Sequence, residues 1–511
     1  MKESLYAAAD IGATGIKMAA AVYDGRKLRI VDTYSEPNLP KVKDGHEFAD
    51  IGHMLKTIRD GLGWLGENGR FVSLGIDTYG NGYGILDAEG KLIQEPYHYR
   101  DRRIDGIMDQ VHRCFTDWQL YEQMGNYPVK TRALFHLYRD VLDCSPNIMR
   151  GERFLPLSSL LEYLITGQAS VERTIASVLY LLEQDGRQWN YEVFRKLGIP
   201  EKLFGPLSEP GRPNGSITRS FAAGAGIEGV PVISVAGHDT ESALMAAPGL
   251  DKTKVFVSLG TSFIFGARVK APVVNRESFH DRFKNMRGVG GTYSLCKDFP
   301  GFWILERCME QWRKQVPRLD YEAVCAAAEK VRDNRTFIDI SDDRFRVSGD
   351  NLPQTIREYC LETGQKCVEG IGDTSRCLFE SYALYLKWNI RRLSRITGET
   401  YRELVAVNGG VRNRLLMQMF ADAAGIPVVA GSPLASVGGN LLMQLYAAGE
   451  AKTLWELEQI ASATWEPVVY ESSHLSRWDE WLEYLEHRGL GMYRTKRLKD
   501  RRQVLITRRK E

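Results

Sequence analysis

Asp10 ends an apolar run and stands directly before a turn of small residues, an arrangement that suits phosphate chemistry. The run is LYAAAD, and the turn is GATG at residues 12–15. Small residues let backbone N–H groups approach an anion closely, Thr14 adds a hydroxyl donor and Lys17 adds a positive charge. A carboxylate beside phosphates repels them unless a divalent cation lies between, so we expect Asp10 to hold Mg²⁺ through water. The alternative is a plain hairpin turn whose amides bond to Asp10.

Asp239 follows a second apolar run and begins a predicted Ala-rich helix. The stretch is VISVAGHDTESALMAAP, residues 232–248. The dipole and free amides of a helix N-terminus favour an anion, so Asp239 should stay ionised and could accept the proton of a hydroxyl that attacks a phosphoryl group. His238 and Thr240 flank it. In the alternative, Asp239 or Thr240 is only the N-cap of the helix, and His238 is a packed histidine.

Two further turns repeat this small-residue pattern. SLGTS, residues 258–262, offers a second cradle of hydroxyls and amides around Thr261, and two cradles can clamp one chain of phosphates. NGG, residues 408–410, lies where a predicted strand runs into a helix, and glycine there lets a base or ribose approach. Each turn also has a plain interpretation, as an ordinary hairpin and as a tight turn that packs a helix on a sheet.

The strands that must position these turns are predicted in two stretches of the chain that share one pattern. An Asp-Gly turn at 24–25 between apolar runs indicates an opening three-stranded meander. Periodicity then predicts a helix over 48–62 and a strand over 71–77. The stretch TKVFVSLGTSFIFGARV, residues 253–269, repeats the opening order of strand, turn and strand. This internal echo predicts two related α/β domains.

The chain is too long for one hydrophobic core, so a division into domains is expected. We place the first boundary near residue 248. The expected domains are 1–248, which carries the Asp10 turn and Asp239, and 249–450, which carries the SLGTS and NGG turns. Residues 451–511 are predicted to be a peripheral helical extension.

Composition indicates a soluble globular protein that works in the cytoplasm. The chain is 43% hydrophobic and 26% charged, with no apolar run long enough to span a bilayer, and its N-terminal apolar run is interrupted by charges. A net charge of +2 gives no overall attraction to nucleic acid. The basic stretch at 494–510 is interpreted as a solvated helix or frayed tail, with an RNA or anionic-surface contact as the alternative. Eight cysteines without a C-x-x-C pair indicate reduced thiols rather than disulfides or a zinc site.

The motifs, taken in chain order, resemble those of the FGGY carbohydrate kinases, and within that family the rhamnulokinases. They are DIGATGIK, GIDTYG, HYRDRR, VAGHDT, SLGTS, GVGGTY, NGGVRNRLL and GIPVVAG. The resemblance implies an α/β fold of two RNase-H-like domains, of the actin/hexokinase type, around an interdomain cleft. It also implies transfer of the γ-phosphoryl group of Mg-ATP to a hydroxyl of a ketose such as L-rhamnulose.

The resemblance assigns roles residue by residue. Asp239 corresponds to the general base, and Glu306 stands where the family usually has a glutamine that contacts the nucleotide. The sugar-binding residues that it implies are Gly80, His238, Asp239, Thr240 and Asp298. The ATP-binding residues that it implies are Ala13, Thr14, Gly15, Ile16, Lys17, Thr261, Glu306 and Gly410.

Departures from the rhamnulokinase pattern gather in the sugar pocket and leave the substrate open. Rhamnulokinases usually read Trp-Gly-Val-Asp where this chain has YGNG, residues 79–82, so Tyr79, Asn81 and Gly82 differ. Ser262 replaces a tryptophan and Asp298 replaces an asparagine. The alternatives are therefore a kinase for a different ketose or polyol, or a regulator that binds sugar and nucleotide without catalysis.

Three further charged residues have two interpretations each. Arg100 and Asp101 of the HYRDRR stretch could reach the sugar or could form a surface ion-pair cluster. Asp77 could be a second water-mediated Mg²⁺ contact or a structural carboxylate at a strand end.

Overall fold

The protein is described by a computed structural model that covers residues 3–332, 334–345, 351–473 and 476–488. The basic stretch at 494–510 lies outside the described residues. Strands and helices below are numbered in chain order.

Strands and helices follow one another in groups along the chain. The strands are β1 (Glu3–Ile11), β2 (Gly15–Tyr23), β3 (Leu28–Pro37), β4 (Lys41–Lys43), β5 (His46–Phe48), β6 (Gly69–Thr78), β7 (Tyr83–Leu86), β8 (Arg153–Pro156), β9 (Val171–Glu172), β10 (Leu207–Ser208), β11 (Arg212–Ser216), β12 (Pro231–Ser234), β13 (Lys254–Leu259), β14 (Ser262–Val269), β15 (Lys284–Arg287), β16 (Tyr293–Pro300), β17 (Glu403–Val407), β18 (Val428–Ala430) and β19 (Val468–Tyr470). The α-helices are α1 (Ile51–Leu65), α2 (Ile107–Val111), α3 (Asp117–Met124), α4 (Ala133–Leu142), α5 (Pro146–Arg150), α6 (Leu157–Thr166), α7 (Arg173–Val178), α8 (Tyr191–Leu197), α9 (Arg219–Ala222), α10 (Asp239–Met245), α11 (Arg276–His280), α12 (Phe302–Arg313), α13 (Tyr321–Lys330), α14 (Leu352–Glu362), α15 (Gly370–Thr397), α16 (Arg414–Ala424), α17 (Ala435–Ala448), α18 (Leu454–Thr464) and α19 (Arg477–Arg488).

The chain divides into two compact units, and neither unit is continuous in sequence. The first unit comprises Met1–Asp251, Ala267–Cys296 and Leu434–Pro467. The second unit comprises Lys252–Gly266, Lys297–Pro433 and Val468–Glu511. The chain therefore passes between the units more than once, and α17, which lies in the expected second domain, belongs to the first unit.

The first unit is built on a six-stranded sheet in the order β11-β12-β6-β1-β2-β3. β1 to β3 form an antiparallel meander, as the sequence predicts, because the turn at 24–25 reverses the chain between two apolar runs. β6 pairs with β1 and with β12 in parallel. Parallel strands end at the same edge of a sheet, so the residues that follow β1, β6 and β12 are brought together.

The second unit repeats the plan of the first. Its strands run in the order β16-β14-β13-β17-β18-β19, and β13, β17 and β18 are parallel neighbours. In both units a pair of strands joined by a glycine turn is followed by a parallel partner of its first strand. The predicted internal echo is therefore confirmed in the strand pairing.

The segment beyond residue 450 is not wholly helical, which corrects the prediction. β19 extends the second sheet by pairing antiparallel with β18. α18 belongs to the first unit, where Thr464 Oγ1 accepts a hydrogen bond from Leu28 N at 2.9 Å. α19 buries Trp478 completely in the second unit. Short β-branched runs such as VVY favour a strand, and the helical periodicity of the residues on both sides made β19 hard to predict.

No helix among the described residues is both long and apolar enough to cross a membrane. All eight cysteines are free thiols, as predicted from their spacing.

Candidate active site

Asp10 lies at the carboxyl end of β1 between two charged neighbours in the sheet. Lys17 of β2 is its antiparallel partner, and Asp77 of β6 is its parallel partner. Burial in the first place, and the charge of Asp239 in the second, raise the pKa of Asp10 to about 7 against the lowering effect of Lys17. Three carboxylates therefore meet at one edge of the first-unit sheet.

Asp77 is fully buried beside Asp10, with one of its two oxygens paired. Asn440 Nδ2 of α17 donates to Oδ2 at 2.7 Å, whereas Oδ1 accepts no hydrogen bond from the described residues. Burial and the charge of Asp10 hold the pKa of Asp77 well above its ordinary value. Asp77 thus has a structural partner on one oxygen and spare acceptor capacity on the other.

Asp239 is carried by a turn that is tied to β6. Thr78 N donates to Gly237 O at 2.9 Å, and Thr78 forms an isolated parallel β-bridge with His238. His238 is the N-cap residue of α10 and makes no capping bond with its side chain, so neither Asp239 nor Thr240 is the N-cap. Thr240 Oγ1 donates to Asp239 Oδ1 at 3.1 Å, and His238 Nε2 lies 3.4 Å from the same oxygen. The Asp239 side chain is 29% exposed, so the carboxylate remains reachable.

Gly80 lies against the same turn. A Cβ at residue 80 would lie 2.7 Å from Val178 Cγ2 and 2.9 Å from His238 Cδ2, so only glycine fits there without a shift. The next residue, Asn81, accepts a hydrogen bond through Oδ1 from Arg132 Nη1 at 2.9 Å. The YGNG stretch and the Asp239 turn are thus neighbours in the first unit.

The GATG turn leaves backbone donors unused. Gly12 N donates to Gly15 O at 3.0 Å, and Asn38 donates to the carbonyl groups of Gly12 and Thr14. Among the described residues no hydrogen bond uses the N–H of Ala13 or Thr14. These donors, with the exposed Lys17 nearby, suit an anion.

Ile16 differs from the other predicted members of the first phosphate loop. Its side chain is fully buried in the core of the first unit, and its backbone lies inside the sheet opposite Ile11 of β1 and Glu36 of β3.

The second unit carries the matching turn. Gly260 N donates to Ser262 O at 3.3 Å, in the way that Gly12 N bonds to Gly15 O in the first unit. The carbonyl groups of Gly260 and Thr261 accept hydrogen bonds from the N-terminal amides of the α12 segment. The turn is therefore fixed on a helix end by its carbonyls.

Gly410 follows β17, the parallel neighbour of β13, and lies against this turn. A Cβ at residue 410 would lie 2.5 Å from Leu259 Cβ and would also overlap Phe302 Cε2. Asn408, at a positive φ of 72°, donates through Nδ2 to Ser258 Oγ at 3.0 Å. The NGG turn and the SLGTS turn thus form one surface of the second unit.

Two further predicted residues lie in the second unit. Glu306 on α12 accepts a hydrogen bond from Tyr321 Oη at 3.2 Å, and burial raises its pKa. Asp298 lies on β16 and is half-buried. The predicted site residues thus fall into a group in the first unit, from Asp10 to Thr240, and a group in the second unit made of Thr261, Asp298, Glu306 and Gly410.

The residues of the first unit fit a divalent cation held together with phosphates. Asp10 and Asp77 place two carboxyl groups side by side, and Asp77 Oδ1, which accepts no hydrogen bond from the described part of the chain, is a spare oxygen ligand. Within the described ranges no group of three or more His, Cys, Asp or Glu side chains could hold a metal by itself. This donor set matches Mg²⁺, which keeps several waters and binds through one or two carboxylates and substrate phosphates.

Several residues of the site escaped the sequence analysis. Asn440 pairs with Asp77 from a helix far along the chain. Burial raises the pKa of the Tyr99 hydroxyl, the nearby charges of Arg100 and Arg132 lower it, and that of Asp239 raises it, which puts Tyr99 near all three. The signal that could have found Asn440 was the pair of amides at 440 and 444 in the otherwise apolar α17.

Arg100 and Asp101 have different environments. Asp101 is 1% exposed and accepts hydrogen bonds from His46, Glu47 and Arg103, which makes it a structural residue. Arg100 is exposed and lies with its guanidinium 5.1 Å from the Tyr99 ring centroid.

Comparison with known proteins adds sequence relatives along nearly the whole chain. The chain is 32% identical over 480 residues to a rhamnulokinase of Bacteroides thetaiotaomicron, and the match covers 94% of this chain and 98% of the relative. It is 30% identical over 477 residues to a rhamnulokinase of Enterococcus faecalis, covering 93% and 95%. A rhamnulokinase of Bacillus subtilis is 28% identical over 474 residues, covering 93% and 96%.

Solved structures share the fold at lower identity. A xylulose kinase from Rhodospirillum rubrum matches with a TM-score of 0.75 and 17% identity, covering 95% of this chain and 98% of that chain. A Plasmodium falciparum glycerol kinase with ADP matches with a TM-score of 0.74 and 14% identity over the same shares. The expected two-domain α/β fold is thereby confirmed.

Family models match both parts of the chain. The N-terminal domain of the FGGY carbohydrate kinases matches residues 5–246, and the C-terminal domain matches residues 255–448. With both domain models matched and close relatives along the chain, this protein belongs to the FGGY family of carbohydrate kinases.

Proposed function

We propose that this sugar kinase transfers the γ-phosphoryl group of Mg-ATP to a hydroxyl of a ketose such as L-rhamnulose, with Asp239 as the general base. The observation that carries the proposal is the meeting of Asp10, Asp77 and Asp239 at one edge of the first-unit sheet, where Asp10 and Asp77 are strand partners and the turn before Asp239 is hydrogen-bonded to Thr78. A phosphoryl-transfer site needs one carboxylate for a metal and another for a proton, and this edge has both. We also propose that the protein works in the cytoplasm, because ATP is available there.

Asp239 would accept the proton of the attacking hydroxyl. The Thr240 hydroxyl and His238 Nε2 both contact Oδ1, and these contacts orient the carboxylate. A well-placed base contributes about 10²–10⁴-fold to the rate. Gly80 would keep the space beside His238 open for the sugar, because a side chain there would collide with α7 and His238.

Nucleotide contacts are proposed for a glycine turn of each unit, taken separately. In the first unit the N–H groups of Ala13 and Thr14 and the charge of Lys17 would contact phosphates. In the second unit Thr261 and Gly410 would border the phosphates and the adenosine, with Glu306 as a further nucleotide contact. Mg²⁺, when bound with ATP, offsets the phosphate charge, and Asp10 is the residue that would hold it.

A different ketose or a polyol is the second candidate substrate. Its support is the environment of Asn81, whose Oδ1 is engaged by the buried Arg132. The rhamnulokinase pattern has a carboxylate where Gly82 stands, so a hydroxyl that paired with it would lose its partner. A buried polar group without a partner costs about 1–3 kcal/mol, enough to change the preferred sugar.

The test of the base is Asp239→Asn. The amide keeps the shape of the side chain and cannot take a proton, so kcat should fall by about 10²–10⁴-fold while the affinity for ADP stays within about twofold. The matched control is Asp24→Asn in the exposed β2–β3 turn, which should leave kcat unchanged. Near-normal turnover of Asp239→Asn would remove Asp239 from the mechanism.

The test of the sugar is an ADP-release screen of the unmodified protein against ketoses, aldoses and polyols. A clear preference for L-rhamnulose would support the first candidate, and a preference for another sugar would support the second. Binding of sugar and ATP without ADP formation from any of them would favour a non-catalytic regulator.

A further inference from the structure

Glu172 is a buried carboxylate whose contacts join two elements of the site. It is 1% exposed, at the end of β9, and it serves as the N-cap of α7. Its oxygens accept hydrogen bonds from Thr174 N at 2.6 Å, Thr174 Oγ1 at 2.6 Å and Ile175 N at 3.2 Å. Oε2 also accepts from Gly237 N at 3.0 Å, although Gly237 is 65 residues further along the chain.

Glutamate is an unusual residue for this helix cap, and its extra length has a use. Ser, Thr, Asp and Asn are the preferred N-cap residues, because a short side chain reaches the first amides of the helix. Aspartate would satisfy Thr174 and Ile175 in the same way. The additional methylene of Glu172 brings Oε2 to Gly237, which a shorter carboxylate does not reach without movement of the backbone.

The peptide groups on both sides of Gly237 are held by different elements. Glu172 accepts from its N–H, and Thr78 N of β6 donates to its carbonyl. Gly237 leads directly into His238 and Asp239. α7 itself forms the wall opposite Gly80, where Val178 limits the space. One carboxylate thus connects the wall of the sugar side with the turn that carries the base.

We propose that Glu172 is a positioning residue for phosphoryl transfer, because it fixes the turn before Asp239 against the helix that faces Gly80. This inference rests on the proposed role of Asp239. Loss of the Gly237 contact should displace the base relative to the sugar, and a displacement of about 1 Å at a reacting group can cost about 10²-fold in rate. Sugar and nucleotide contacts made by other residues should survive, so the loss should appear in kcat rather than in KM.

The test compares Glu172→Asp with Glu172→Gln. The aspartate keeps the helix cap and withdraws from Gly237, so it separates the two roles. The glutamine keeps the length of the side chain and presents an amide donor where two or more donors converge, so it provides the test if the aspartate variant does not fold. Both variants should lower kcat by about 10–100-fold per folded molecule, with KM for sugar and for ATP within about threefold.

The matched control is Glu162→Gln on α6. Glu162 is also buried and lies near Glu172, yet its hydrogen bonds come from Asn214 Nδ2 at 2.7 Å and from the Ser234 side chain of β12 rather than from the Asp239 turn. Its kcat should remain within about twofold of the unmodified protein. An equal loss of kcat in Glu162→Gln and in the Glu172 variants would overturn the inference, because any buried charge change would then have the same effect.

Asp239→Asn, measured in parallel, separates this inference from the proposed function. An inactive Asp239→Asn together with a fully active Glu172→Asp would overturn the positioning role and leave the base in place. A fully active Asp239→Asn would overturn the proposed base, and the positioning role with it.

Discussion

Replacing Gly410 by alanine should disturb, through packing alone, the turn of the second unit for which nucleotide binding is proposed. The added Cβ would lie 2.5 Å from Leu259 Cβ and would also overlap Phe302 Cε2. Leu259 Cβ is tied to the backbone and cannot rotate away, and Phe302 is buried with its ring 4.9 Å from that of Phe263. One of these groups must move, and forcing a methyl group into a packed site costs about 1–3 kcal/mol.

Gly409→Ala is the matched control for this packing effect. A Cβ at residue 409 would meet no atom within 4 Å, and neither glycine has a positive φ. Both substitutions restrict the unfolded chain and gain about 0.4–1 kcal/mol of stability from that restriction. The difference between the two variants therefore isolates the steric cost, and Gly410→Ala should unfold with about 1–3 kcal/mol less free energy than Gly409→Ala.

The assay is urea unfolding followed by circular dichroism, together with calorimetric binding of ADP to Gly410→Ala. The two units can unfold in separate transitions, so one transition should shift and the other should stay. Because N-terminal amides of the α12 segment bond to Gly260 and Thr261, a displaced Phe302 should also weaken ADP binding, by roughly tenfold for about 1.4 kcal/mol. Equal stabilities of the two variants would refute the packing argument. A loss of stability without a loss of ADP affinity would separate Gly410 from the nucleotide.

Two further predictions concern buried charge. Burial raises the pKa of Glu162 to about 8 from an ordinary 4.5, so the folded state holds a proton that the unfolded state has released between these values, and native stability falls as pH rises through that range. Glu162→Gln should remove this loss of stability. The difference in unfolding free energy between Glu162→Gln and the unmodified protein, measured from urea midpoints, should therefore shift in favour of the variant by about 2–4 kcal/mol from pH 5 to pH 8. A difference that stays constant over this pH range would contradict the argument. Asp10→Asn should raise the Mg²⁺ concentration that gives half-maximal rate by at least roughly tenfold, since one carboxylate ligand is lost; an unchanged Mg²⁺ titration would exclude Asp10 as a ligand.

Much of the arrangement at the sheet edge follows from rules that are visible in the sequence. The glycine turns and apolar runs define β1, β2, β13 and β14, and the strand before Asp77 is apparent from its composition. Parallel strands end at a common edge, which is why Asp10 and Asp77 become partners. The repeated order of strand, turn and strand by itself predicts two related domains.

Contacts between distant segments are what the sequence could not supply. Asn440 donates to Asp77 although the two residues are 363 positions apart in the sequence. α17 belongs to the first unit although it follows β18 of the second unit in the chain. Arg132 is an ordinary-looking residue before a helix, and only the fold brings it to Asn81. Local patterns carry no information about such pairings, because the partner is selected by the packing of whole elements.

Glu172 shows how a local rule can point to function once the fold is known. A glutamate at a helix cap looks like a weak choice in sequence, and the reach to Gly237 explains it. The cluster of Asp10 and Asp77 breaks another rule, because like charges are buried together at a cost in stability. Such departures are expected at functional sites, where the chain trades stability for chemistry. Burial, and after it the charge of a neighbouring carboxylate, raises the pKa of Asp10 and of Asp77, and a cation bound at Asp10 would favour the ionised form of both, so the same carboxyl groups would favour the binding of a metal with its nucleotide.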